Sequence, residues 1–257
     1  MSKWVIYEYL FLQWEAIELI LQTEIFGEGE PLIFLHTGLQ TGMTDFEYQR
    51  EYFKDKYKVI LPDLRGHGKS VTDVINKDFF EDSAKDLEET LTHLDVESAH
   101  IIGCSLGGLA GLCFAKRFPH RVESLVLSGV IAEKPEDWLE RHREEVESQR
   151  SLLEDEKSIK YFNALHESDW RQFLKFAREE DWYPFDLTKD LNGIHSPVLY
   201  MVGDGYAAEC KSALMYQSLH EEIHVAIIPF AAHLVHVQQP DLYSRICLLY
   251  TSPSPRD

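Results

Sequence analysis

The sequence predicts an α/β fold, a mostly parallel sheet with helices on both faces and a helical insertion between two of its strands. Three observations carry this. From Ala99 to Leu127, short apolar runs of strand length alternate with a segment of helical period, so strand, helix and strand follow in turn and right-handed crossovers make the strands parallel. In the middle of that run stands Gly103-Cys104-Ser105-Leu106-Gly107, a G-x-S-x-G bend whose small flanking residues let a strand and a helix approach closely and hold the serine in a strained turn. Finally, Val130 to Asn192 contains none of the chain's 14 glycines, so this stretch is built differently from the rest.

Taken in order, Met1 to Trp14 is aromatic-rich, and Ala16 to Thr23 alternates apolar and polar residues as a strand does. After a turn at Gly27 to Pro31, Leu32 to Leu35 is a short continuous apolar run of the buried-strand kind. It ends in His36-Thr37-Gly38-Leu39-Gln40-Thr41-Gly42, glycine-punctuated and rich in backbone donors. A helix is expected from the cap Thr44-Asp45 to about Lys54, and a strand over Tyr57 to Leu61. The block that follows, Asp63-Leu64-Arg65-Gly66-His67-Gly68-Lys69-Ser70, resembles a phosphate loop only in its last three residues. Asp63 stands where that motif requires glycine, and Val71-Thr72-Asp73 reads as loop where it requires a helix.

Phe79 to Leu94 places Phe80, Ala84, Leu87, Leu91 and Leu94 at helical period. Ala99 to Cys104 and Val122 to Leu127 are strands either side of the helix that begins at Leu106. The free N–H groups of that helix's first turn point toward negative charge forming beside Ser105. Within residues 130–193, Trp170, Phe173, Leu174 and Ala177 fall on one helical face, and the stretch reads as a cap whose aromatic side chains glue it to the sheet or line a pocket. Pro197 to Val202 resumes the sheet, Glu209 to Leu219 is a helix, and His224 to Pro229 is the last strand, leading to His233. His36, Asp63 and Ser105 all stand just past strand ends, where ligands bind in such sheets.

Composition narrows the partners. With 44 acidic residues against 25 basic ones and a net charge of −19, nucleic acid and anionic membrane are poor partners, and a small-molecule substrate is expected. No apolar run approaches the roughly 20 residues of a membrane span. Cys104, Cys113, Cys210 and Cys247 show no C-x-x-C spacing and the first residues lack a secretory pattern, which reads as a reducing cytoplasm. No metal-ligand spacing or cofactor motif is present, so neither a metal nor a cofactor is expected. Nothing in the chain speaks to oligomeric state.

Together, the Leu35-to-Gly42 loop, the Asp63-to-Ser70 block, the Gly103-to-Gly107 bend and Ala232-His233-Leu234-Val235-His236 with Gln239-Pro240 resemble the α/β-hydrolase superfamily, in that order and over about residues 16–246. The resemblance implies Ser105 as nucleophile and His233 as general base, with the N–H groups of Leu106 and of Gly38 or Leu39 binding an oxyanion. It implies a core over 1–129 and 194–246 with a cap over 130–193. The expected activity is hydrolysis of an ester-like carbonyl substrate carrying an apolar group. The acid departs from the family pattern, because Tyr206 fills its usual slot in Gly203-Asp204-Gly205-Tyr206 and a phenol is neutral at pH 7. Asp204 is the expected substitute, with Gly205 supplying backbone freedom; Glu209 and Glu133 are alternatives. Should none serve, the chain is an impaired member of the fold that binds a small apolar ligand. Residues 247–257 resemble a translated sequencing adapter, leaving a terminal helix cut short after Ile246 and a strip of sheet bare.

Overall fold

The computed structural model describes residues 19–72, 74–219 and 223–252. Of the strand expected over residues 16–23, residues 16–18 lie outside them; residues 19–22 are not in a strand, and the first strand among the described residues begins only at Thr23. The elements are, in order, β1 (Thr23–Phe26), β2 (Glu30–Leu35), α1 (Glu47–Phe53), β3 (Tyr57–Pro62), α2 (Phe79–His93), β4 (Ala99–Cys104), α3 (Leu106–Arg117) and β5 (Val122–Ser128). Four helices follow before the sheet resumes: α4 (Trp138–Glu154), α5 (Glu156–Leu165), α6 (Arg171–Ala177) and α7 (Phe185–Thr188). The chain then closes with β6 (Val198–Gly203), α8 (Ala207–Leu219), β7 (Ile223–Ile228), α9 (Val235–Gln238) and α10 (Pro240–Thr251).

The strands form one sheet in the order β1-β3-β2-β4-β5-β6-β7, parallel throughout except for β1, which runs antiparallel to β3. Alternation along each strand feeds two cores. Ile33, Leu35, Ile101, Leu125 and Leu127 face one side, under α2 and α3, while Leu32, Phe34, Ile102 and Val126 face the other, under α1 and α10. Period-2 side-chain alternation in strands buried on both faces is what makes their sequences read as unbroken apolar runs. Phe34 illustrates the packing, 1% exposed and 5.1 and 5.8 Å from the rings of Phe46 and Phe53. Truncating it to alanine is expected to cost about 3–5 kcal/mol.

The sheet order reverses between β2 and β4. The loop after β2 leads to α1 on one face and the bend after β4 leads to α3 on the other, so the two part and leave a crevice at the strand ends. α10 runs on past Ile246 through Thr251. Cys247 is fully buried on the second face, and Tyr57 Oη donates to Thr251 O at 2.7 Å, so the strip expected to lie bare is covered. Residues 253–257 lie outside the described ones. No helix among the described residues is long and apolar enough to cross a membrane.

Candidate active site

Ser105 sits between β4 and α3 with φ 54° and ψ −117°, a backbone conformation costing on the order of 1–3 kcal/mol that persists only where its surroundings hold it. They do. Ser105 N donates to Ser128 O of β5 at 2.9 Å, while a Cβ on Gly103 would stand 2.6 Å from Gly107 C, and one on Gly107 would overlap the Leu35 backbone. Strand and helix therefore meet at van der Waals distance because both positions are glycine. Leu106 opens α3, and its N–H has no partner within the helix.

Across the crevice, Gln40 N donates to Thr37 O at 3.2 Å, closing a turn in which Leu39 is left-handed at φ 60°. The Gly38 and Leu39 N–H groups give no hydrogen bond to any described residue. Leu106, Gly38 and Leu39, the three donors expected from the sequence, thus line one cleft with Ser105 and His233. The cleft has a volume of about 560 Å³. From α4 and α6 come Leu152, Glu145 and Phe173, with Trp182 beside them.

His233 lies between β7 and α9, half-buried, and its Nδ1 is 2.6 Å from Glu209 Oε1. Glu209 is wholly buried in the first turn of α8, where the helix dipole favours a carboxylate. Burial works to lower the His233 pKa, but the hydrogen bond and charge of Glu209 outweigh it and hold the ring above its ordinary 6.5. Burial likewise raises the Glu209 carboxyl above 4.5, against the pull of His233. The ring abuts the bend: a Cβ on Gly129, at φ +66°, would stand 2.8 Å from Ser105 N and 3.0 Å from His233 Cε1. No hydrogen bond joins Ser105 Oγ to the ring, a looseness common in such pairs before substrate closes the site.

The expected partner of His233 was Asp204, and here the structure differs. Asp204 N donates to Ile228 O at 3.0 Å and Gly205 N to Ala231 O at 2.8 Å, so both residues prolong the β6–β7 pairing and the Asp204 side chain is left exposed. The carboxylate comes instead from the alternative at position 209, five residues further on in the first turn of α8. Glu133 is exposed too, on a separate surface cleft with Lys134 and Lys211. Tyr206, in the usual acid slot, packs its ring edge-on 6.0 Å from the His233 ring.

Asp63 and Asp45 both take structural work. Asp63 accepts from Gly42 N and Lys69 N, both at 2.9 Å, and a Cβ on Gly68 would run into its carboxylate, so the Asp63-to-Ser70 block is a self-closed loop with no room for a phosphate. Asp45 was expected to cap α1, yet the cap position falls to Phe46 and no side chain caps the helix. Its Oδ2 accepts from Thr37 N and Oγ1, each at 2.8 Å, and its Oδ1 lies 2.7 Å from His236 Nε2. Burial opposes its charge, but His236 and Thr37 together lower its pKa to about 2. This buried pair ties the turn after β2 to the segment bearing His233. Nothing in the local sequence signals it, since the partners lie 191 positions apart. Among the described residues no group of His, Cys, Asp and Glu gathers that could hold a metal ion.

Comparison with known proteins agrees with this architecture. A family described as alpha/beta hydrolase fold matches residues 30–184. The 3-oxoadipate enol-lactonase 2 of Acinetobacter baylyi is 33% identical over 118 residues, 46% of this chain and 44% of that one, so this chain spans less than half of that relative's length. A putative carbamate hydrolase, RutD, of Agrobacterium fabrum is 24% identical over 258 residues, covering 87% of this chain and 94% of its own. The solved structure of NosK from Streptomyces actuosus superposes with a TM-score of 0.74 over 87% of this chain and 97% of that one, at 22% identity, a likeness of fold. With a family match over more than half of its length and the same sheet beneath it, the chain belongs to the alpha/beta hydrolase fold family.

Proposed function

We propose that the protein is a serine hydrolase acting on an ester-like carbonyl substrate with an apolar group, with residues 130–193 serving as a cap over the cleft. The observation that carries this reading is the 2.6 Å contact between Glu209 and His233 Nδ1, made beside a strained Ser105. With Nδ1–H donated to Glu209, Nε2 is left as the base. His233 Nε2 takes the Ser105 Oγ proton as Oγ bonds to the substrate carbonyl carbon, and the oxyanion is held by the N–H of Leu106 and those of Gly38 or Leu39. The protonated His233 then gives its proton to the leaving oxygen, forming an acyl-enzyme. Water repeats the sequence, losing a proton to His233 as it attacks, and releases the acid and Ser105.

The lining of the cleft supports the substrate class. Leu152, Phe173, Leu174, Ala177 and Trp182 offer apolar surface, while Asp45 and Glu145 set carboxylates against an anionic substrate. Relatives named as an enol-lactonase and a carbamate hydrolase fit the same chemistry. The competing reading, an impaired ligand-binding protein, rests on Tyr206 standing in the usual acid slot; the 2.6 Å contact of Glu209 with His233 Nδ1 supports the hydrolase over it.

A fluorophosphonate probe is expected to label Ser105, with Ser105→Ala abolishing both labelling and hydrolysis of p-nitrophenyl butyrate. Labelling that survives the substitution would overturn the nucleophile.

A further inference from the structure

We infer that His166 is a positioning residue for the oxyanion donors, reaching from the α5–α6 junction to the turn after β2; the inference rests on the hydrolase reading above. His166 Nδ1 accepts from Gly68 N at 2.8 Å, so the ring proton is on Nε2, which donates to Leu39 O at 3.1 Å. The ring is buried, stacked on Phe162 at 6.0 Å and edge-on to His67 at 5.6 Å.

Its place is not adjustable, because the chain on its C-terminal side is stitched to the loop after β3. Glu167 N donates to Gly68 O at 2.8 Å, Thr72 N to Ser168 Oγ at 3.1 Å, and Ser168 Oγ to Thr72 O at 3.3 Å. The same turn is gripped a second time from the inserted helices: a Cβ on Gly38 would stand 3.2 Å from Phe173 Cε1.

Leu39 is where this grip matters. Its left-handed φ of 60° is one that a leucine leaves readily for an ordinary value. Gln40 N fixes one end of the turn on Thr37 O, and the His166 ring holds the carbonyl of the left-handed residue itself. Released from the ring, Leu39 relaxes and swings the turn, carrying the Gly38 and Leu39 N–H groups off the position opposite Leu106 N. Docking of the inserted helices and alignment of the donors are thereby one event, so a cleft whose helices are displaced also loses its oxyanion site.

The test compares two amide replacements in the full chain. In His166→Asn the short amide reaches the place of Nδ1 and keeps the Gly68 contact but cannot reach Leu39 O; in His166→Gln the longer amide reaches the place of Nε2 and donates to Leu39 O. With p-nitrophenyl butyrate, His166→Asn is expected to lower kcat by about 10- to 100-fold, the scale of a misaligned oxyanion donor, with KM within about 3-fold of the parent. His166→Gln is expected to recover most of that loss, and the thermal midpoints of the two variants to be alike. Equal kcat for the two variants, whether at the parent level or equally reduced, would overturn the inference, as would a loss confined to KM. Should the parent itself fail to hydrolyse the ester or to be labelled at Ser105, the hydrolase reading fails and this inference with it. An active parent, an inactive Ser105→Ala and a fully active His166→Asn would sink the inference alone.

Discussion

Replacing Glu209 by glutamine keeps the shape of the side chain and removes the charge 2.6 Å from His233 Nδ1. In Ser-His-acid hydrolases the acid's amide costs about 10⁴ in kcat, or about 5 kcal/mol of transition-state stabilisation, by losing the tautomer and the charge opposite the imidazolium. Here the His233 side chain is 42% exposed, so water screens part of the imidazolium, and the expected loss is nearer about 10³. The pH profile moves as well. kcat/KM rises with pH as His233 gives up its proton, with a midpoint above 6.5 in the parent. Without Glu209 the lowering effect of burial is less opposed, and the midpoint shifts to lower pH. Stability goes the other way from activity. A carboxyl whose folded pKa is raised contributes stability below its unfolded value near 4.5, and loses it as pH rises through the folded value. Ionised Glu209 is therefore a burden at neutral pH, and the glutamine variant is expected to melt at or above the parent temperature at pH 8. Steady-state rates across pH, with melting curves in parallel, read all three effects. A glutamine variant within 10-fold of the parent kcat, or an Asp204→Asn variant as slow as it, would refute the assignment of the acid.

Tyr206→Asp restores the family's usual acid slot, and with Glu209 already on the ring no gain in kcat is expected; a large gain would show His233 to be poorly supported. Gly129→Ala adds a Cβ 2.8 Å from Ser105 N and 3.0 Å from His233 Cε1 at a left-handed φ of +66°. It is expected to lower kcat by about 10² while the circular dichroism spectrum stays native, and a parent-like rate would refute the closeness of ring and bend. Glu145→Gln removes one carboxylate from the cleft and is expected to raise kcat/KM for an anionic ester about 5-fold relative to its neutral counterpart, a ratio measured on a matched pair.

The strands and helices that carry the site were legible from local pattern. The β4 and α3 boundaries around Ser105, the strand ends before His36 and Asp63, and the last strand before His233 follow from apolar period and glycine punctuation, which depend on near neighbours along the chain. The proposed nucleophile and base, Ser105 and His233, were legible for the same reason, each belonging to a short motif at a strand end. The carboxylate beside His233 was not. Whether Asp204 or Glu209 meets His233 depends on how far β6 stays paired with β7 beyond Gly203, and on where α8 then starts. Asp45 reads as a helix cap by its neighbours, and becomes the anchor of Thr37 and His236 only because α9 folds back across the sheet. His166 carries no local signal at all, since both of its partners lie about a hundred residues or more away in loops it meets only when the inserted helices dock. Hydrogen bonds between such distant groups arise from the angles at which elements pack, and only the assembled sheet determines those angles.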